Sequence, residues 1–72
     1  MRKFVPQVLT DLRLEHSLSI TALGKEANLD PHTIARLEAG KHTPMPHTVG
    51  KLARAFNVSP LTFWVDNKET TP

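Results

Sequence analysis

Residues 19–41 read SITALGKEANLDPHTIARLEAGK and contain two helices joined by a very short turn. Ser19 and Asp30 are favourable N-cap residues, and Pro31 stands at a first helical position, where its missing N–H is not needed. Asn28 tolerates the left-handed backbone conformation that commonly ends a helix. Because so few residues then separate the helices, they must cross at a steep angle. This arrangement predicts a helix-turn-helix, with a purely structural corner as the alternative.

Three helix starts in the chain share one arrangement, a cap residue between two apolar residues. The sets are Leu18, Ser19 and Leu23; Leu29, Asp30 and Ile34; and Val58, Ser59 and Phe63. In such a hydrophobic staple the residue before the cap packs on the fourth helical residue. Asn28, Gly40 and Asn57 predict the helix ends.

Apolar spacings of three and four residues predict helices throughout, and no segment alternates as a strand does. The apolar faces comprise Val5, Val8, Leu9 and Leu12 in the first helix; Ile20, Leu23 and Ala27 in the second; Ile34 and Leu37 in the third; Val49, Leu52, Ala53 and Phe56 in the fourth; and Leu61, Phe63 and Trp64 in a short fifth. We therefore expect an all-α, five-helix domain over residues 1–65, a loop over residues 41–46 and a flexible polar tail over residues 66–72.

The chain has 72 residues, no cysteine and a net charge of +2. It is too short for two separate cores, and without cysteine it forms neither disulfides nor thiolate zinc sites. Charged residues interrupt its N-terminal segment, which predicts neither a signal peptide nor a membrane span but a cytoplasmic protein. The net charge is too small to indicate a polyanionic partner by itself, although the segment from residue 31 to residue 54 is locally basic.

Catalytic and metal-binding motifs are missing from the sequence. The serines lie in no nucleophile-elbow sequence, and the glycines form no phosphate-binding loop. His32, His42 and His47 lack the spacing and the partner ligands of a zinc site. We therefore expect no catalytic residue, no metal, no cofactor and no enzymatic activity.

Residues 19–41 resemble the helix-turn-helix of the Cro/phage-repressor family, also called the xenobiotic-response-element family. The most specific segment is IARLEAGK, residues 34–41, where the family usually has an apolar pair flanking Arg or Gln, then Glu, any residue, Gly and a basic residue. The resemblance covers about residues 8–64. It implies a compact lambda-repressor-like domain whose helices 2 and 3 form the helix-turn-helix, with helix 3 in the DNA major groove.

Three residues depart from the family pattern. Ile20 replaces the Gln that often contacts a phosphate, Gly24 replaces the usual Ala, and Asn28 replaces the usual turn Gly. These changes weaken one expected phosphate contact and leave the fold intact, because Gly24 permits close helix contact and Asn28 can adopt a positive φ.

Helix 3 presents one arc to solvent when its apolar residues face inward, at about 100° per residue. The residues predicted to contact bases, on this arc or at the tip of the helix, are Pro31, His32, Ala35 and Arg36. An arginine can donate two hydrogen bonds to one guanine, at O6 and N7, whereas a histidine donates or accepts one hydrogen bond. An alanine offers a methyl group to thymine. The alternative at Arg36 and His32 is an ordinary solvated side chain.

Predicted phosphate contacts flank helix 3. They are Ser19, Ile20, Thr21, Lys25, Lys41, His42 and Thr43. The family resemblance places the last three along the sugar-phosphate backbone, whereas the helix starts at Ser19 and near Thr48 offer unpaired N–H groups to phosphates. The alternative for each is an ordinary surface residue.

The resemblance also places a basic and an acidic residue at Arg13 and Glu38. Arg13 follows the apolar Leu12, and Glu38 lies beside the inward-facing Leu37. We therefore predict a partly buried ion pair, which leaves neither side chain free to contact DNA.

These observations predict a sequence-specific DNA-binding transcription regulator with double-stranded DNA as its partner. A repressor is favoured over an activator, because so short a chain leaves little surface for recruiting polymerase. The competing hypothesis is a protein-interaction module, such as an antitoxin or a regulatory adaptor, that uses the same fold to hold a protein partner.

A twofold homodimer is expected on DNA, because one helix reads too few base pairs to select one site in a genome. The residues predicted to form its interface are Leu61, Phe63, Trp64 and Val65. Phe63 and Trp64 are adjacent and cannot both face the same core, so one of them adds to an exposed apolar patch. In the alternative, Phe63 fills the core and Trp64 covers the end of the first helix near Phe4.

Overall fold

The computed structural model describes residues 2–66. Its elements in chain order are β1 (Arg2–Phe4), α1 (Pro6–Glu15), α2 (Ile20–Ala27), α3 (Pro31–Glu38), α4 (Pro46–Phe56), a 3₁₀ turn (Pro60–Phe63) and β2 (Trp64–Asp66). The described fold is therefore mostly helical, with four α-helices rather than the five predicted. The predicted fifth helix is a single 3₁₀ turn.

Two short strands, which the sequence analysis did not predict, join the two ends of the described chain. β1 and β2 pair antiparallel, with Arg2 opposite Asp66, Lys3 opposite Val65 and Phe4 opposite Trp64. Each strand has three residues, too few to show a period of two. Their pairing links residues 60 to 64 positions apart, so no local pattern reports it.

The predicted helix caps are present. The Ser19 Oγ accepts a hydrogen bond from the Ala22 N–H at 3.0 Å, and an Asp30 carboxylate oxygen accepts one from the His32 N–H at 2.8 Å. The Ser59 Oγ accepts from the Leu61 N–H at 3.2 Å. These bonds satisfy backbone donors that the first turn of a helix leaves unpaired.

A residue with left-handed backbone lies one or two positions beyond the last residue of every α-helix in the described chain. These residues are Ser17, Asn28, Gly40 and Asn57, with φ of 57°, 58°, 73° and 58°. In each case the following N–H donates to a carbonyl five residues back, as the Leu29 N–H does to the Gly24 oxygen at 2.8 Å. The three predicted ends are confirmed, whereas Ser17 was not identified because serine is not a typical residue for this conformation.

The predicted loop over residues 41–46 is one residue too long. Pro46 opens α4, and its N-cap residue Met45 makes no side-chain cap. A proline suits this first helical position, since it supplies a fitting φ and lacks only an N–H that would be unpaired. Thr48, near which a helix start is predicted to face DNA, is buried within α4.

The core draws side chains from all the helices and from β1. The buried apolar residues are Phe4, Leu9, Leu23, Ala27, Ile34, Leu37, Val49, Leu52, Ala53, Phe56 and Phe63. Phe4 is stacked on Phe63 with ring centroids 6.1 Å apart, which anchors β1 to the helical body. No helix within residues 2–66 is long and apolar enough to cross a membrane.

Of the predicted polar tail over residues 66–72, only Asp66 belongs to the described part, and it is the last residue of β2. Residues 67–72 lie outside the described residues. The tail and the domain boundary at residue 65 therefore stay predictions.

Candidate nucleic-acid interface

The turn between α2 and α3 fixes where α3 sits. An ideal Cβ on Gly24 would lie 2.7 Å from the Leu29 carbonyl oxygen and 3.4 Å from the Pro31 ring. Such a distance is shorter than carbon and oxygen tolerate, so a Cβ at position 24 would force this turn to shift. Gly24, which the sequence analysis treats as a mild departure, is therefore what lets the two helices approach so closely.

α3 buries one face and exposes the other, as its periodicity predicts. Ile34 and Leu37 are fully buried. The opposite side is exposed. Together with two residues beyond the helix end, it lines an open groove formed by His32, Ala35, Arg36, Ala39 and Lys41. Pro31 is exposed at the N-terminal tip. The four residues predicted to contact bases thus lie together on one accessible surface, which we call the α3 face.

An ion pair between Arg13 and Glu38 holds the C-terminal end of α3 against α1. The Arg13 Nε and Nη2 donate to the two carboxylate oxygens of Glu38 at 2.6 and 3.0 Å, and Nη1 donates to the Leu18 carbonyl at 2.9 Å. Both side chains are largely buried, with 14% and 11% of their surface exposed. The hydrogen bond to Glu38 raises the pKa of Arg13 above its ordinary value, although burial acts in the opposite direction. The pair is turned inward, so it positions α3 and is not available to DNA.

The predicted contacts at the start of α2 lie beside the tip of α3. Thr21 and Lys25 are exposed and line a depression that also includes Pro31. The Ser19 Oγ is already an acceptor in its cap, which leaves its O–H as a donor. Ile20 is half-buried against the core, so only its backbone N–H suits a phosphate.

The segment after α3 forms the other flank of the α3 face. Lys41, His42 and Thr43 are all exposed and line a depression together with Arg2 and Lys3 of β1. Sequence reasoning did not connect these two cations with the site, because the contact depends on the pairing of β1 with β2. Lys41 lines both this depression and the groove on the α3 face, so the two surfaces are continuous.

The residues predicted for a dimer interface separate into two groups. Leu61 and Val65 are exposed, and Trp64 is partly buried with its ring edge-on to Phe4 at 5.7 Å. Phe63 is fully buried in the core and has no surface for a partner, so its place in the predicted interface is wrong. The reason is that the 3₁₀ turn points Phe63 inward, as the staple with Val58 also requires.

A metal site has no support from side-chain clustering. Within residues 2–66, no group of three or more histidine, aspartate or glutamate side chains is placed to hold a metal ion.

Comparisons with known proteins bear on both the fold and the family. The helix-turn-helix family model HTH_3 matches residues 9–63. The restriction-modification controller protein C.AhdI from Aeromonas hydrophila has a TM-score of 0.77 at 28% identity, over 81% of this chain and 88% of that chain. An HTH_3 family transcriptional regulator from Vibrio cholerae has a TM-score of 0.77 at 24% identity, over 82% of this chain and 33% of its own.

This chain thus spans about a third of the Vibrio cholerae protein. No curated protein sequence matches it. The family model covers both helices of the helix-turn-helix, the ion pair between Arg13 and Glu38, and the buried core from Leu9 to Phe63. The resemblance to the Cro/phage-repressor family is therefore confirmed, and the chain belongs to the HTH_3 family of helix-turn-helix proteins.

Proposed function

We propose that this protein is a sequence-specific transcription regulator that inserts α3 into the major groove of DNA. The observation that carries the proposal is the α3 face, where hydrogen-bonding and small side chains are exposed while the apolar face is locked in the core. An α-helix with its side chains is about 10–12 Å across and fits the major groove, which is about 12 Å wide. Membership of the HTH_3 family supports DNA as the ligand.

Arg36 is the principal base-reading residue in this proposal. It is exposed in the last turn of α3, and its guanidinium can donate two parallel hydrogen bonds to guanine O6 and N7. His32, one turn earlier, makes a single hydrogen bond to a base or a phosphate. Ala35 between them offers a methyl group to thymine and leaves room for close approach, and Pro31 contacts the groove at the tip of the helix.

Phosphate contacts on both sides of α3 fix its register. On one side lie the Ser19 hydroxyl, the Ile20 N–H and the side chains of Thr21 and Lys25. On the other side lie Lys41, His42 and Thr43, which the structure leaves exposed. Such contacts add affinity that is independent of sequence and sensitive to salt.

A twofold dimer completes the proposed complex. Leu61 and the half-buried Trp64 line an apolar patch near the C-terminal end of the described fold, and Val65 is the exposed apolar residue that follows Trp64. A second copy packed on this patch would present a second α3. The operator is then a near-palindrome whose half-sites are separated by about 34–36 Å, one helical turn of DNA.

We further propose that the protein represses transcription by occupying its operator. Its similarity to C.AhdI, a restriction-modification controller protein, supports a regulatory role. The competing adaptor hypothesis predicts a tight protein partner and no affinity for mixed DNA. Salt dependence separates the two, because neutralising several phosphates releases counterions and gives a steep decrease of affinity with salt.

The experiment that tests the proposal is selection of bound sequences from a random duplex pool. We expect enrichment of a near-palindromic sequence, and repression of a reporter promoter into which that sequence is placed. Failure to enrich any sequence, with no salt-dependent binding to mixed DNA and a protein partner recovered instead, would establish the adaptor.

A further inference from the structure

Three cationic side chains line the depression between β1 and the segment that follows α3. They are Arg2, Lys3 and Lys41, and the polar side chains of His42 and Thr43 line it as well. Among the described residues that line it, none is acidic. Because Lys41 also lines the groove on the α3 face, the depression adjoins the surface proposed to face DNA.

The cations of β1 are presented by an ordered strand. Phe4 is buried, stacked on Phe63 and edge-on to Trp64, and β1 is paired over all three residues with β2. The strand therefore has little freedom left to lose when a ligand binds, which favours affinity. Arg2 lies opposite Asp66 in the sheet, whereas Lys3 lies opposite the uncharged Val65. Lys3 is thus the cation of β1 whose cross-strand neighbour carries no charge.

We propose that Arg2 and Lys3 each bind a phosphate of the DNA backbone next to the one that Lys41 contacts, beside the base pairs that α3 reads. The inference rests on the proposed function and extends it to residues before the matched family region, which begins at residue 9. β1 is then a phosphate-binding strand, and its pairing with β2 makes the ends of the described chain part of the DNA-binding surface. The contact is independent of sequence, because phosphates carry no base information.

The test compares Lys3→Gln with wild type in binding to the selected operator and to random duplex DNA. Loss of one phosphate contact reduces the slope of log affinity against log salt by about 0.9. Between about 50 and 200 mM salt, the fold-decrease in affinity should therefore be about 3.5 times smaller for the variant than for wild type. The sequence preference should be unchanged. Lys3→Arg should retain the wild-type slope, since it keeps the charge.

Arg54→Gln is the matched control. It removes the same charge from the exposed last turn of α4, and Arg54 lines a different depression with Glu26 and Asn28. The wild-type slope is expected for this variant. An equal decrease of slope in Lys3→Gln and Arg54→Gln would overturn the inference, because net charge would then explain both effects.

Two other outcomes also overturn the inference, and they differ in what they say about the proposed function. An unchanged slope in a folded Lys3→Gln variant, beside steeply salt-dependent wild-type binding, removes only the β1 contact. Absence of salt-dependent DNA binding by wild type removes the proposed function and the β1 contact together. Unfolding midpoints in urea check that each variant is folded, and the exposure of Lys3 makes a large change of stability unexpected.

Discussion

Ser17, two residues beyond the end of α1, adopts a backbone conformation that its side chain disfavours. Its φ is 57°, in the left-handed region, where a Cβ approaches the following carbonyl oxygen. Asn28 and Asn57 tolerate the same conformation better, and Gly40 has no Cβ at all. Ser17 is also exposed, so its side chain contributes little packing that would offset the strain.

Replacement of Ser17 by glycine should therefore stabilise the protein. We expect Ser17→Gly to raise the free energy of unfolding by about 0.5–1 kcal/mol, the relief of strain less the extra entropy of the unfolded chain. Urea denaturation measures the change. Ser59→Gly is the control, because Ser59 has an ordinary φ of −69° and its cap would be lost, so this variant should be slightly destabilised. A Ser17→Gly variant no more stable than wild type contradicts the assignment of strain.

The glycines at positions 24 and 50 provide a matched pair within helices. Gly24→Ala places a Cβ 2.7 Å from the Leu29 carbonyl oxygen, whereas Gly50 has nothing within 4 Å of its Cβ position. We expect Gly24→Ala to lower the free energy of unfolding by about 1–3 kcal/mol and Gly50→Ala to raise it by about 0.5–1 kcal/mol. Equal gains of stability in both variants, measured by urea denaturation, would show that the turn relaxes without strain.

α1 and α3 are joined by the ion pair between Arg13 and Glu38. Removal of Glu38 leaves a largely buried guanidinium with only the Leu18 carbonyl as acceptor. We expect Glu38→Ala to lower the free energy of unfolding by about 2–4 kcal/mol, between the values for surface pairs and for fully buried ones. Thermal or urea denaturation measures this loss.

Glu15→Ala is the control for the ion pair, because Glu15 is an exposed acid at the end of α1 and should change stability by less than about 0.5 kcal/mol. The double variant Arg13→Met with Glu38→Leu should recover much of the loss, since it leaves no unpaired charge. If Glu38→Ala behaves like Glu15→Ala, the pair does not hold α3 in place.

The sequence predicts the four α-helices from signals within a few residues. It does not predict β1, β2 or the 3₁₀ geometry of the last turn in the same way. The caps at Ser19, Asp30 and Ser59 and the ends at Asn28 and Asn57 depend on a residue's own backbone and side chain, so the sequence predicts them correctly. β1, β2 and the 3₁₀ turn instead depend on pairing and packing between opposite ends of the described chain. Such contacts leave no periodic pattern in segments of three or four residues.

In the candidate site, too, the sequence predicts what depends on neighbouring residues and misses what depends on contacts between distant segments. The α3 face follows from helical periodicity alone, because burial of Ile34 and Leu37 turns Arg36 outward. The position of Lys3 beside Lys41 requires the complete fold. The staple with Val58 favours burial of Phe63, and its packing against Phe4 and Phe56 excludes it from the predicted interface.

At the scale of the whole molecule, we expect a dimer in solution at micromolar concentration. Leu61 is 56% exposed beside Trp64, and an acidic side chain at its position would introduce charge into the proposed apolar interface. We expect Leu61→Asp to sediment as a monomer and to bind the operator without cooperativity. Trp64→Ala should weaken the dimer too, but its contact with Phe4 makes it a less selective variant.

Leu14→Asp is the control for the dimer. Leu14 is 60% exposed on α1, outside the proposed interface, so this variant should sediment like wild type. A wild-type protein that is monomeric in solution and binds DNA without cooperativity would contradict the dimer. Such a result would not contradict the proposed base contacts of α3.

The most direct test of base reading by α3 is the sequence selected from a random duplex pool by wild type, Arg36→Ala and Lys41→Ala. We expect Arg36→Ala to bind about 1–3 kcal/mol more weakly and to lose its preference at one base pair of each half-site, while the rest of the selected sequence is retained. Lys41→Ala should select the wild-type sequence and bind all DNA more weakly. An unchanged preference at every position in a folded Arg36→Ala variant would contradict the account.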